Sequence, residues 1–405
     1  VKLAKPLMPP LAPAEHPLVR TPEEWADVLA SWGEPKYRGA QVFRWLHQRG
    51  VHDAQAMSDL PKSLRERLAQ EELAPPLSIS SAHLSEDGTR KLLVSMHDAR
   101  TVETVLIPMK SSKAETIFAA EGDDDDESAD TAPAQSPEWV TQCISSQVGC
   151  AMGCVFCASG IAGLKRHMTA AEIVSQVMVG RRELEGSGAD AESGARLRNV
   201  VFMGMGEPLA NYDAVARALV LLTHPDGLGL SRRRVTVSTS GLVPEIDRLG
   251  RDFGGQVQLA VSLHAPTDAQ RSRIMPINKK YPLPELVAAL ERYPLPKRRR
   301  ITIEYTLIAG INDAPADAVQ LTRLLARVPI KVNLIPMNAV MFDDGEGNPL
   351  RAPEWDAVDR FQDTLRSKGV ASFVRRRKGD DIAAACGQLA LKGEKRKIKV
   401  ALPVS

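Results

Sequence analysis

The sequence predicts an α/β protein built on a parallel sheet, and three observations carry that prediction. Strand-like and helix-like segments alternate regularly between residues 140 and 335. Six such units require a parallel sheet with both faces covered. The unusual polar motifs fall just after the strand-like segments, where such a sheet collects its ligands. From the pattern alone the sheet is either doubly wound or an incomplete barrel.

The elements follow in chain order. Residues 1–20, with five prolines before residue 18 and no apolar run of the secretory kind, read as a disordered start. Residues 21–75 read as a small helical accessory domain. Thr21-Pro-Glu-Glu24 is a capping box with proline at the first helical position, and Val42, Phe43 and Leu46 recur at helical spacing. Residues 76–110 read as a strand extension, with strands at Lys91–Ser95 and Thr101–Ile107. Residues 111–137 are acidic and rich in Ala, Ser and Pro, the composition of a disordered insertion. The core, 138–370, has candidate strands at Val140–Ser145, Asn199–Met203, Val235–Ser240, Val257–Leu263, Ile301–Leu307 and Lys331–Ile335. Its first helix opens on a second capping box, Thr169-Ala-Ala-Glu172. Residues 371–405 form a C-terminal segment with a basic tail.

Composition narrows the function. Five cysteines in 405 residues do not make a disulfide-stapled secreted protein, and no run of eighteen apolar residues is present to span a bilayer. The reading is a cytoplasmic protein with reduced thiols. The net charge of +2 hides an asymmetry, because Glu121–Asp130 alone holds seven acidic residues. Without them the body carries about +9, with basic clusters at 232–234, 297–300, 375–378 and 392–399. Together they favour a polyanionic partner.

Four of the five cysteines lie within Cys143-Ile-Ser-Ser-Gln-Val-Gly-Cys150-Ala-Met-Gly-Cys154-Val-Phe-Cys157. A four-thiolate zinc cage usually pairs two separated Cys-x2-Cys knuckles, and no second knuckle occurs. Three soft thiolates in eight residues suit an iron–sulfur cluster with one iron left open for a substrate or cofactor. Further polar motifs close later strands: Gly204-Met-Gly206-Glu207-Pro208, Ser238-Thr-Ser-Gly241, Ser262-Leu263-His264 and Asn333 to Asn338. The glycines of the first let a ligand approach the backbone, and Glu207 suits an ammonium group.

The triad Cys150, Cys154 and Cys157, with Phe156 before its last member, resembles the radical S-adenosylmethionine (SAM) superfamily. CISSQVGCAMGCVFC, GMGEP, LSRRRVTVSTSG, SLHAP, VNLIPMN and GDDIAAACGQL occur in order between about residues 35 and 389. They resemble the RlmN/Cfr family of radical SAM RNA methyltransferases, in particular its adenine C2-methylating branch. The resemblance implies an incomplete (βα)6 TIM-like barrel with an N-terminal helical RNA-binding domain. It implies one 4Fe-4S cluster on Cys150, Cys154 and Cys157. SAM, two per turnover, is implied to contact Gly206, Glu207, Ser238, Ser262, Leu263, His264 and Asn338. Glu103 is implied as proton acceptor, Cys386 as the cysteine that is S-methylated, and Cys143 as its resolving partner, which forms a disulfide with it. The implied partners are 23S rRNA at adenine 2503, tRNA at adenine 37 and an electron donor such as flavodoxin, with no membrane and a monomeric enzyme. Two departures, the acidic insertion and Val340–Pro353, bear on local geometry. Three other readings stay open here: C8 methylation by a Cfr-type member, a radical SAM activase, and a zinc-stabilised RNA-binding module.

Overall fold

Capping chemistry starts the N-terminal unit. Thr21 Oγ1 accepts from the Glu24 N–H at 3.3 Å, and Glu24 Oε2 accepts from the Thr21 N–H at 2.8 Å, opening α1 (Pro22–Ser31). Next come α2 (Arg38–Phe43), a wider π-turn at Arg44–Gln48, and α3 (Lys62–Leu68). The helices enclose Trp25, Leu29, Phe43, Leu46 and Met57, each 0% exposed. Gly39 allows α1 and α2 to touch, because a Cβ there would sit 2.5 Å from the Pro22 carbonyl oxygen.

The structure is a computed structural model that describes residues 11–109, 138–186, 195–338, 343, 348–375, 379 and 382. The expected insertion at 111–137, residues 1–10 and Cys386 lie outside the described residues. The expected disordered start needs a correction at its C-terminal end. Leu18 and Val19 form a buried turn, and the Leu18 carbonyl lies 2.8 Å from His47 Nε2.

Strands β1 (Leu77–Leu84), β2 (Arg90–Met96) and β3 (Thr101–Met109) form an antiparallel meander, and β3 pairs antiparallel with β4 (Trp139–Cys143). A two-stranded clip follows, β5 (Gln147–Val148) against β6 (Arg166–His167), with α4 (Ala158–Ala162) between them. Then come α5 (Ala170–Gly186), β7 (Arg196–Phe202), α6 (Tyr212–Thr223), β8 (Val235–Thr239) and α7 (Val243–Phe253). Next are β9 (Gln258–Ser262), α8 (Asp268–Ile274), α9 (Leu283–Arg292), β10 (Ile301–Leu307) and α10 (Pro315–Leu324). The chain continues through β11 (Ile330–Pro336), α11 (Trp355–Ser367) and β12 (Ser372–Val374).

The main sheet runs β1-β2-β3-β4-β7-β8-β9-β10-β11-β12, and every neighbouring pair from β4 onward is parallel. β10 is buried at all seven positions, as a strand covered on both faces must be. With β1 and β12 as edges the sheet is open, a partial barrel. The six expected parallel strands are present within a few residues of their expected ends. β12 adds a seventh, whose three residues are too few to show a period.

The helical unit docks on the barrel through Arg217 of α6, which is 3% exposed. Both its terminal nitrogens donate to Glu24 at 2.8 Å, and Nη1 also donates to the Val19 carbonyl at 2.8 Å.

Candidate active site

The clip β5–β6 closes the base of the loop that carries the cysteine triad. Gly149 (φ +78°) makes that closure possible: a Cβ there would overlap the Gly163 carbonyl oxygen, which accepts from the Cys150 N–H at 3.3 Å. Arg166 holds the clip from outside, donating to both Glu172 oxygens at 2.8 Å and to Asp98 at 2.8 Å. Arg166 holds the Asp98 carboxyl below the usual carboxylate range. At the far side of the loop, the Val155 N–H donates to the Ile274 carbonyl at the end of α8 at 3.2 Å.

All three cysteines line a cavity of about 170 Å³ at the carboxyl ends of β7 to β11. Burial pushes the Cys150 thiol up to about 12 and the Cys154 thiol well above its ordinary value, and the neighbouring Cys157 adds to both shifts. The sulfurs do not converge on a point: among the described residues no three His, Cys, Asp or Glu side chains stand close enough to hold one metal ion. Thiolates that each bind a different iron of a cluster need no such convergence. The donor set therefore fits a cluster, whose positive irons would draw thiolates out of thiols that burial keeps protonated.

The opposite walls come from the strand ends. Glu207, 3% exposed, accepts from the Ser240 N–H at 2.7 Å and the Leu209 N–H at 3.1 Å. Burial raises its carboxyl pKa against the pull of those donors. Its own N–H donates to Gln147 Oε1 at 2.8 Å. The neighbouring glycines have a packing reason the sequence did not reveal. A Cβ on Gly204 would sit 2.7 Å from the Ile144 carbonyl oxygen, and one on Gly206 (φ +99°) would collide with Gln147. They bring two strand ends together as much as they open the backbone to a ligand.

His264 sits in the left-handed region, at φ +59°, which is costly for a residue with a Cβ. Two bonds hold it there. The Thr306 N–H donates to His264 Nδ1 at 2.8 Å, and Asn312 Nδ2 donates to the His264 carbonyl at 2.6 Å. Burial, reinforced by the Arg271 charge, lowers its pKa to about 3, so the ring is neutral. With Nδ1 accepting, the hydrogen is on Nε2, a donor on a cavity-lining side chain. Phe156 meets the ring edge-on, 4.9 Å between centroids.

Ser238, Ser262 and Asn338 line the same cavity, as do Gly206, Glu207 and His264. Leu263 does not. Its side chain is 0% exposed, and its backbone alone faces the site's supports, donating to the Glu304 carbonyl at 3.1 Å. Glu103 and Cys143 are also absent from the cavity wall. The register pairs Val105 with Cys143, which puts Glu103, Val105 and Cys143 on one face of the sheet. The Ser145 hydroxyl donates to the Glu103 carbonyl at 2.8 Å and ties this face to the β4 end. Lys91 shares it, with Nζ 3.3 Å from Glu103 Oε1 and both side chains buried.

Comparison with known proteins agrees with this geometry. Residues 20–73 match the family described as the ribosomal RNA large subunit methyltransferase N-terminal domain, and residues 144–322 match the radical SAM superfamily. A dual-specificity RNA methyltransferase RlmN of Sorangium cellulosum is 56% identical over 394 residues, covering 96% of this chain and 98% of that protein. Another, from Geobacter sulfurreducens, is 46% identical over 367 residues, 91% of this chain and 89% of that protein. The chain belongs to the RlmN family. A crystal structure of a radical SAM methyltransferase from Sphaerobacter thermophilus matches with a TM-score of 0.77 at 41% identity, covering 94% of this chain and 99% of that one. As a member of the RlmN family the chain is a radical SAM RNA methyltransferase.

The sequence reading missed four polar residues that shape this RlmN-family site. Glu304 lines the cavity, accepts from Asn333 Nδ2 at 2.7 Å and has its carboxyl raised by burial. Asn312 fixes the His264 backbone, Lys91 faces Glu103, and Arg271 is buried beneath the cavity wall. None lies in a motif with telling spacing, and each meets its partner from another element of the fold.

Proposed function

We propose that this RlmN-family enzyme methylates C2 of adenine 2503 in 23S rRNA and of adenine 37 in tRNA, through a methyl group carried on Cys386. The convergence of the cysteine loop and five strand ends on one cavity carries the reading. Cys150, Cys154 and Cys157 would hold the cluster, and Gly206, Glu207, Ser238, Ser262, the backbone of Leu263, His264 and Asn338 would hold SAM. When bound, the cluster supplies the electron that cleaves SAM to a deoxyadenosyl radical. A second SAM in each turnover methylates Cys386 beforehand.

C2 of adenine has no lone pair and a barely acidic hydrogen, so polar transfer from SAM fails there. The protein answers by placement in a dry pocket. The deoxyadenosyl radical takes a hydrogen atom from the Cys386 S-methyl group, and the resulting methylene radical bonds to C2, joining Cys386 to the base. The adduct gives one electron back to the electron carrier, and Glu103, on the strand beside β4, takes the C2 proton. Cys143 attacks the Cys386 sulfur, forming an S–S bond as the sulfur–carbon bond breaks, and the released carbon gains a proton to become the methyl group. The basic body and the helical unit at 21–75 contact phosphates, and the target base leaves its stack to reach the rim. A flavodoxin-type donor supplies electrons in the cytoplasm.

The test is anaerobic turnover with SAM, a reductant and each RNA in turn, followed by nucleoside mass spectrometry. The expected product is 2-methyladenosine. Formation of 8-methyladenosine instead would assign C8 chemistry, and no methylated adenosine on either RNA would reject the reading.

A further inference from the structure

Arg271, on α8, is among the largest side chains with no exposed surface in the protein (0%). Nε donates to the Leu263 carbonyl at 3.1 Å, Nη1 to Asn278 Oδ1 at 2.9 Å, and Nη2 to the carbonyls of Ser240 and Ser262 at 2.5 and 3.2 Å. Every acceptor is neutral. The acidic groups whose charge acts on it are the Cys154 thiol and the Asp268 carboxylate. Asp268 Oδ1 is committed elsewhere, accepting from Asn278 Nδ2 and from the Leu283 N–H, each at 2.8 Å. A guanidinium sealed among neutral oxygens is costly unless an anionic partner offsets it.

The place of Arg271 in the fold says what that partner is. Its helix ends on the carbonyl that holds Val155, between Cys154 and Cys157. Three of its four bonds grip the chain at the ends of β8 and β9, next to Ser238 and Ser262 on the cavity wall. With a cluster bound, the three thiolates of that loop, two of them buried, would make an anionic centre whose charge acts on this fixed cation.

We propose that Arg271 is a positioning residue whose charge is the counter-ion of the cysteine-bound cluster, raising the cluster's reduction potential while its hydrogen bonds fix the strand ends that receive SAM. This rests on the cluster reading of the cysteine loop. On reduction one electron passes from an external donor, dithionite in the assay, to the cluster. No bond is made or broken, the buried centre gains one negative charge, and the guanidinium stabilises it. At an effective dielectric of about 20, a nearby unit charge changes such an equilibrium on the order of tenfold or more.

The experiment is a mediated dithionite titration of iron-replete wild-type, Arg271→Lys and Arg271→Gln proteins, following the paramagnetic reduced cluster and the iron content. Arg271→Gln should reduce about tenfold less favourably, which for one electron is about 59 mV lower. Arg271→Lys should stay within about threefold of wild type, because the charge is kept. An iron-replete Arg271→Gln protein that titrates with wild type overturns the proposal. Where Arg271→Gln does not fold, Arg271→Lys decides alone: a potential near wild type supports the charge role, and a tenfold fall refutes it. Failure of the cluster reading is separate, since wild type itself would then take up no iron.

Discussion

Replacing Arg217 by Met should loosen the helical unit from the barrel, by an amount the structure lets one work out. The change removes two 2.8 Å bonds to Glu24, one to the Val19 carbonyl and one to the Ala12 carbonyl. Removing one partner of a buried ion pair costs about 3–5 kcal/mol. Glu24 is 35% exposed, so water recovers part of that. Orphaned carbonyls add about 1 kcal/mol each where water does not reach them. The expected loss is about 2–3 kcal/mol. A double-mutant cycle with Glu24→Gln on urea unfolding should recover about 1–2 kcal/mol of coupling. Burial raises the Glu24 carboxyl, but Arg217 and the Thr21 N–H outweigh burial and leave it net lowered. A carboxylate lowered in the folded state contributes its stability above the unfolded value, about 4.3. That contribution is lost as pH falls through the lower folded value. The gap between wild type and Arg217→Met should therefore be constant near neutrality and shrink below about pH 4. A gap under about 0.5 kcal/mol at pH 7, or one that widens in acid, would refute the reasoning.

Four further outcomes are expected. Gly149→Ala forces a Cβ into the Gly163 carbonyl in a left-handed position, so strain on the order of 1–3 kcal/mol should cost the protein its iron; full iron loading by colorimetric assay would count against the loop geometry. Lys91→Met removes the cation 3.3 Å from Glu103 and should lower kcat on the order of ten- to a hundredfold with KM for SAM unchanged; steady-state kinetics with an unaltered kcat would show that the pair is only structural. Cys143→Ala should stop resolution and leave protein covalently bound to RNA, seen as a shifted band on a denaturing gel and absent in a Cys143→Ala/Cys386→Ala protein; an unshifted variant that turns over normally would sink the two-cysteine route. Deleting residues 121–130 removes seven negative charges and should strengthen RNA binding at low salt while methylation persists; loss of methylation in a folded deletion would assign the segment a catalytic part.

What the sequence revealed, and what it concealed, divides along the range of the interactions. The Thr21/Glu24 and Thr169/Glu172 boxes were legible because both partners lie within one helical turn, and both form. The six parallel strands β4 and β7 to β11 were legible because burial leaves apolar residues in each of them. The β5–β6 clip and β12 were not, since two or three residues hold no period. Arg271 and Arg217 were hidden for a different reason. Each sits in a helix whose sequence does not mark an arginine as buried, and each is buried where carbonyls from other segments converge on it.

The contrast between those two arginines is informative in itself. Both are nearly or wholly buried, at 3% and 0%, and both gather backbone carbonyls. Arg217 also has the Glu24 carboxylate, so its charge is balanced within the protein and its work is to hold two units together. Among the described residues Arg271 has only neutral acceptors, and burial lowers its pKa to about 10. A purely structural brace at that position would gain by acquiring a carboxylate, as Arg217 has, because an uncompensated buried charge lowers stability. Beside three cysteines that carboxylate would oppose the negative charge a cluster acquires on reduction. Among the described residues Arg271 has no ion pair, as the proposed counter-ion role requires, and an acid placed within its reach should depress the reduction potential more than it stabilises the fold.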